Sequence, residues 1–110
     1  MIQTRPYYED YVNHMLRHYC RYADRVDDIL SDSDTEPSPD RVNVAVCCSV
    51  LSRLRDADRE TIRKVYSSDG WYRDRVSLRE IIREVGITEE QSTLRLIRDV
   101  TNKIRELRGL

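Results

Sequence analysis

The stretch Ser77-Leu78-Arg79-Glu80-Ile81-Ile82-Arg83-Glu84-Val85-Gly86-Ile87-Thr88-Glu89-Glu90-Gln91 (SLREIIREVGITEEQ) contains two helix starts separated by one helix stop. Ser77, followed three residues later by Glu80, reads as a capping box. The serine oxygen takes the backbone N–H of Glu80 and the glutamate reaches back. Leu78, Ile81, Ile82 and Val85 follow at helical spacing, which gives that helix one apolar face. Gly86 ends it, because a residue without a side chain enters the left-handed turn at little cost. Thr88 with Gln91 repeats the capping pattern and predicts a second helix running to about Leu107. Its inner stripe is Leu94, Ile97, Val100, Ile104 and Leu107. Two helices joined by a tight turn are thus encoded locally.

Upstream, Asp56 reads as the cap of a helix extending to about Ser67, with Ile62, Val65 and Tyr66 inward; Ser68-Asp69-Gly70 breaks it. In the connection Trp71-Tyr72-Arg73-Asp74-Arg75-Val76, Trp71 either anchors the loop to the core or stands exposed between arginines. Ser38-Pro39 opens an earlier helix, Val42 to Leu54, that is apolar nearly all round between Val44 and Leu51. Such a segment is the most buried helix of a bundle. The β-branched run Val42–Val46 also suits a short strand, but no partner strand is visible, so the expectation is helix. Residues 8–30 carry an amphipathic stripe of Tyr8, Val12, Met15, Tyr19, Tyr22, Val26 and Ile29. That stripe has two readings: packing onto the protein's own core, or a seam between two protomers. Between these helices, residues 31–40 hold four acids and no apolar residue besides two prolines, the pattern of a solvated linker or an acidic interaction tag.

Together these elements predict an all-α protein of about five helices: an N-terminal helix (1–30), an acidic linker (31–40) and a helical domain (41–110). At 110 residues, with 35% charged residues, three Gly, three Pro and no Phe, the chain supports one modest core. No run approaches membrane-span length and no basic-then-apolar leader opens the chain, so the expectation is a cytoplasmic protein. Three cysteines, Cys20, Cys47 and Cys48, form no CxxC pair and read as small core residues in a reducing compartment. His14 and His18 have metal-binding spacing but share their face with Arg17, Arg21 and Arg25, so no metal or other cofactor is expected. GxSxG, phosphate-loop and HExxH patterns are absent, which points away from catalysis and from a small-molecule substrate. Charge is uneven: residues 1–40 hold four Arg and nine acids, whereas residues 41–110 hold 15 Lys/Arg and 11 acids. The basic excess lies at the end expected to meet nucleic acid.

Residues 50–108 resemble region 4 of bacterial sigma factors and related small phage transcription regulators. The similarity runs through Leu54, Arg59, Glu60, Ile62 and Tyr66, then Ser77, Leu78, Glu80, Ile81, Gly86, Ile87 and Thr88. It implies a helix-turn-helix over 77–108 and a non-catalytic regulator that binds promoter DNA, RNA polymerase or both. On this reading Gln91, Thr93 and Arg95 face base edges, while Arg73, Arg75, Arg98, Lys103 and Arg105 meet phosphates. The same cations also suit a solvated helix face. This chain departs from the pattern in Glu89 and Glu90, which oppose a polyanion at the first turn, and in Ile82, where many such units carry Ala. By the family's spacing Ser92 and Arg95 fall at core positions and Leu94 and Ile97 are displaced by two. A rival reading follows: a helical protein–protein module without DNA binding, in the manner of a phage inhibitor or adaptor. Its surface would be Tyr7, Tyr8, Tyr11, Glu89 and Glu90.

Overall fold

Five α-helices and one 3-10 turn form among the residues that the computed structural model describes, 7–21 and 39–109; side chains are described for 11–21 and 41–109. The order is α1 (Tyr7–Arg21), α2 (Pro39–Ser52), α3 (Asp56–Tyr66), the 3-10 turn Asp69–Tyr72, α4 (Leu78–Glu84) and α5 (Glu90–Arg108). No strand occurs among them, and the fold is all-α. Val42–Val46 belongs to α2, since a lone strand would leave its backbone groups unpaired. Residues 22–30, most of the acidic linker (31–38) and the side chains of Tyr7 and Tyr8 lie outside the described residues.

One core joins all five helices. From α1 it takes Val12, Met15, Leu16 and Tyr19, so the stripe faces this protein's own interior over its described length. Ile62, Val65 and Tyr66 of α3 and Ile81 and Ile82 of α4 are all 0% exposed. Full burial of such an aliphatic side chain contributes about 1.5–3 kcal/mol, so the short helix α4 is held by packing rather than by propensity. Helix α2 buries Val44, Cys47, Val50 and Leu51 but exposes Ala45. It therefore flanks the core on one face, against the expectation that it is surrounded.

Polar ties fix how the helices sit. The Arg59 guanidinium donates to the carbonyls of Leu51 (3.0 Å), Ser52 (3.4 Å) and Leu54 (2.9 Å), closing the C-terminus of α2. Arg55, not Asp56, is the N-cap of α3 and offers no side-chain bond; Asp56 lies one residue inside and pairs with Arg59 at 3.0 Å. Asn43 of α2 bridges two helices: its amide donates to the Tyr11 hydroxyl (2.9 Å) and its oxygen accepts from Arg108 Nε (2.9 Å). Tyr11 is thus half-buried and engaged against α2. The Tyr66 hydroxyl donates to Asn13 Oδ1 at 2.8 Å, tying α3 to α1.

Candidate nucleic-acid interface

The unit formed by α4, the turn and α5 is built by local chemistry. Ser77 Oγ accepts the Glu80 backbone N–H (3.2 Å), as the capping box requires. The glutamate returns to the serine hydroxyl, not to its backbone N–H: Ser77 Oγ donates to Glu80 Oε1 at 3.2 Å. At the other end Ile87 N–H bonds to Ile82 O (3.2 Å) and Gly86 N–H to Arg83 O (3.0 Å), a Schellman closure. It needs the left-handed φ of +84° that Gly86 adopts. A Cβ at Gly86 would meet nothing within 4 Å, so its role is backbone conformation, not close approach.

The second capping box does not form. Helix α5 starts at Glu90, its N-cap is Glu89, and no side chain bonds the N-cap position. Its start follows from the packing of its inner face, which is Thr93, Ile97, Val100 and Ile104. That stripe corrects two expectations. Thr93 is 4% exposed, so it belongs to the interior and leaves the set facing base edges. Leu107, placed on the inner stripe by periodicity, is 50% exposed, and Leu94 is only half-buried. The real stripe is rotated by one position, about 100°, from the one drawn through Leu94.

Rotation brings Gln91, Arg95, Arg98 and Asn102 onto one exposed ridge at i, i+4, i+7, i+11. No acid interrupts it. The side chains of Arg95 and Arg98 make no hydrogen bond or ion pair among the described residues. The other cations expected to meet phosphates are divided. Lys103 pairs with Glu106 at 3.6 Å, the arrangement of a solvated helix face. Arg73 is held by Glu84 at 2.6 Å and stands 3.9 Å from Glu80, so it closes the loop onto α4. Arg75 is exposed at a left-handed φ of +59°. Arg105 is half-exposed and donates to Asn102.

The two glutamates of the turn differ. Glu89 is exposed. Glu90 folds back toward α4, 3.4 Å from Arg83 and 3.9 Å from Arg79, with its side chain 28% exposed. Half of the negative charge at the entrance of α5 is therefore directed at this protein's own arginines.

Beside the ridge lies a cleft of about 610 Å³ between α1, the segment 71–79 and α5. Its apolar floor includes Val12, Trp71 and Leu94, and its walls carry Arg79, Arg98 and Arg105. Trp71 is firmly placed. Its ring stacks on Tyr66 (centroids 5.1 Å apart, 14° between planes) and its indole N–H donates to Val65 O at 2.9 Å. The exposed aromatic is Tyr72, 65% exposed, and its arginines come from α1: Arg21 lies 4.7 Å and Arg17 5.9 Å from the ring centroid. Sequence reasoning missed Arg79, which it read only as part of a capping box. The signal was present on α5, where Leu94, Arg98, Thr101 and Arg105 form a flank without a carboxylate.

No protein-family model, curated protein or solved structure matches the chain. Among the described residues no group of three or more His, Cys, Asp or Glu is placed to hold a metal ion. No helix among them is long and apolar enough to cross a membrane.

Proposed function

We propose that this chain is a non-catalytic transcription regulator that binds duplex DNA along the outer face of α5, with RNA polymerase the further partner its sigma region 4-like pattern implies. The observation that supports this reading is the ridge Gln91–Arg95–Arg98–Asn102, exposed and free of acids. Its chemistry suits base edges: Gln and Asn pair in two-pronged fashion with adenine, and Arg with guanine. Glu90, turned toward Arg83 and Arg79, no longer projects from the first turn. DNA binding then centres on Arg95 and Arg98, beyond the acidic entrance.

The test is fluorescence anisotropy of a labelled mixed-sequence duplex between 50 and 200 mM salt. Non-specific binding is expected with a dissociation constant on the order of 10⁻⁴–10⁻⁶ M, weakening steeply with salt. Gln91→Ala plus Arg95→Ala is expected to weaken binding and to reduce the log–log salt slope by about 0.9 for each phosphate that is no longer neutralised. A folded protein that shows no binding at 50 mM salt, or a double variant that binds like the parent, rules the reading out. One observation favours the protein–protein module instead. Leu107, Val50 and Leu54 line an apolar groove of about 260 Å³ between α2 and α5, a shape suited to an apolar side chain of a protein partner. That reading gains if no duplex binds.

A further inference from the structure

The cleft between α1, the segment 71–79 and α5 has a charge composition that folding alone does not favour. Three guanidinium groups, those of Arg79, Arg98 and Arg105, line it, and no carboxylate does. Like charges gathered over an apolar floor repel one another, and low local dielectric strengthens that repulsion. The acids nearby do little to relieve it. Glu90 reaches Arg79 only at 3.9 Å, and Arg98 has no side-chain partner among the described residues. Arg105 donates to a neutral amide, that of Asn102. The Asn13 carbonyl oxygen is already taken by the Tyr66 hydroxyl, which leaves its amide N–H₂ as a donor on the cleft wall.

From this juxtaposition we infer that the cleft binds a phosphate group. Three arginines from two helices, with one amide donor, match an anion of several acceptor oxygens. The guanidinium fork pairs with phosphate through two parallel hydrogen bonds, which a lysine cluster does not reproduce. A volume of about 610 Å³ is that of a small-ligand site and leaves ample room for one phosphate. Two sources carry this chemistry: the phosphodiester backbone of a duplex lying on α5, and the phosphate chain of a free nucleotide. The inference rests on the DNA-binding reading only for the first source. The cleft also gives α1 a function beyond packing, since Asn13 of α1 forms part of its wall.

The experiment is a nuclear magnetic resonance titration of the full chain. It follows the Trp71 indole N–H and the methyl groups of Leu94 and Ile97, with inorganic pyrophosphate in one arm and a mixed-sequence duplex in the other. Saturable shifts of these signals are expected. Arg79→Gln/Arg98→Gln/Arg105→Gln, checked for folding by circular dichroism, is expected to weaken the binding at least tenfold. Gln91→Ala/Arg95→Gln, altered on the ridge only, is expected to keep pyrophosphate affinity. A duplex that displaces pyrophosphate assigns the site to the DNA backbone; pyrophosphate binding that the duplex leaves untouched assigns it to a free phosphate compound. Both support the inference. The absence of saturable shifts in both arms overturns it, as does a folded triple variant with parental affinity. If duplex binding survives the triple variant but is lost in the ridge variant, the cleft assignment fails and the DNA-binding reading stands. Pyrophosphate binding with no duplex binding reverses that outcome.

Discussion

Glu89 and Glu90 are adjacent and identical in type, yet replacing each with glutamine is expected to have different consequences. The Glu90 carboxylate lies 3.4 Å from Arg83 and 3.9 Å from Arg79. Its Oε1 is buried and makes no hydrogen bond, so its contribution is charge–charge attraction that Glu90→Gln removes while keeping the shape. Arg79 and Arg83 are 61% and 67% exposed, and screening limits each pair to about 0.2–1 kcal/mol. A negative charge in the first turn of α5 adds about 0.3–1 kcal/mol through the helix dipole. Glu90→Gln should therefore lower the unfolding free energy by about 1–2 kcal/mol. Glu89 is exposed and has no ion pair among the described residues, so Glu89→Gln should lose only the dipole share, about 0.3–1 kcal/mol.

Urea unfolding measures the difference directly. Trp71, the chain's one tryptophan, stacks on buried Tyr66, so its fluorescence reports loss of the core. The series is run at 0.05 M and 1 M sodium chloride. At 1 M the screening length falls to about 3 Å, comparable to the ion-pair separations, and the excess cost of Glu90→Gln should shrink toward that of Glu89→Gln. Equal losses in the two variants at low salt would refute the reasoning. So would an excess that is unchanged at 1 M.

Two further outcomes follow from burial. Thr93→Val should change stability by less than about 1.5 kcal/mol, being close in volume, and leave duplex affinity unchanged; Thr93→Lys should unfold the chain or cost several kcal/mol on the order of a buried charge. An anisotropy loss in folded Thr93→Val would restore Thr93 to the DNA-facing set. Burial pushes the thiols of Cys20 and Cys47 up from 9.0 to about 12; Arg63 partly offsets the rise at Cys20, and the neighbouring cysteines add to it at Cys47. Because the folded values exceed the unfolded ones, this stabilisation is complete below pH 9 and is lost as pH rises toward 12. The urea midpoint should fall across that window, and less steeply in Cys20→Ala/Cys47→Ala; a midpoint flat from pH 8.5 to 11 would contradict it.

Most helices of this protein are legible in its residues because their causes are local. Serine three residues before glutamate, a glycine free to adopt positive φ, and apolar residues three and four apart act within one or two turns. They mark α4, the turn at Gly86 and the existence of α5 without reference to any partner. The all-α class follows from the same signals, together with the scarcity of glycine and proline. What those signals leave open is the rotation of each helix about its axis. On α5 both Thr93 and Leu94 stand next to the apolar stripe, and propensity favours burying leucine. The packing of α1, α2, α3 and α4 chooses threonine, which turns Gln91, Arg95, Arg98 and Asn102 outward together and leaves Leu107 half in solvent.

Charge pairing is non-local for the same reason. Glu90 lies seven residues from Arg83 and eleven from Arg79, across a turn whose geometry brings them within 4 Å. The arginine cleft draws on α1, the segment 71–79 and α5, so its composition exists only once α1 has docked. Periodicity reveals which faces of these helices are apolar. Which cations stay unpaired, and which of them share one cleft, follows from helix rotation and from contacts between elements distant in the chain.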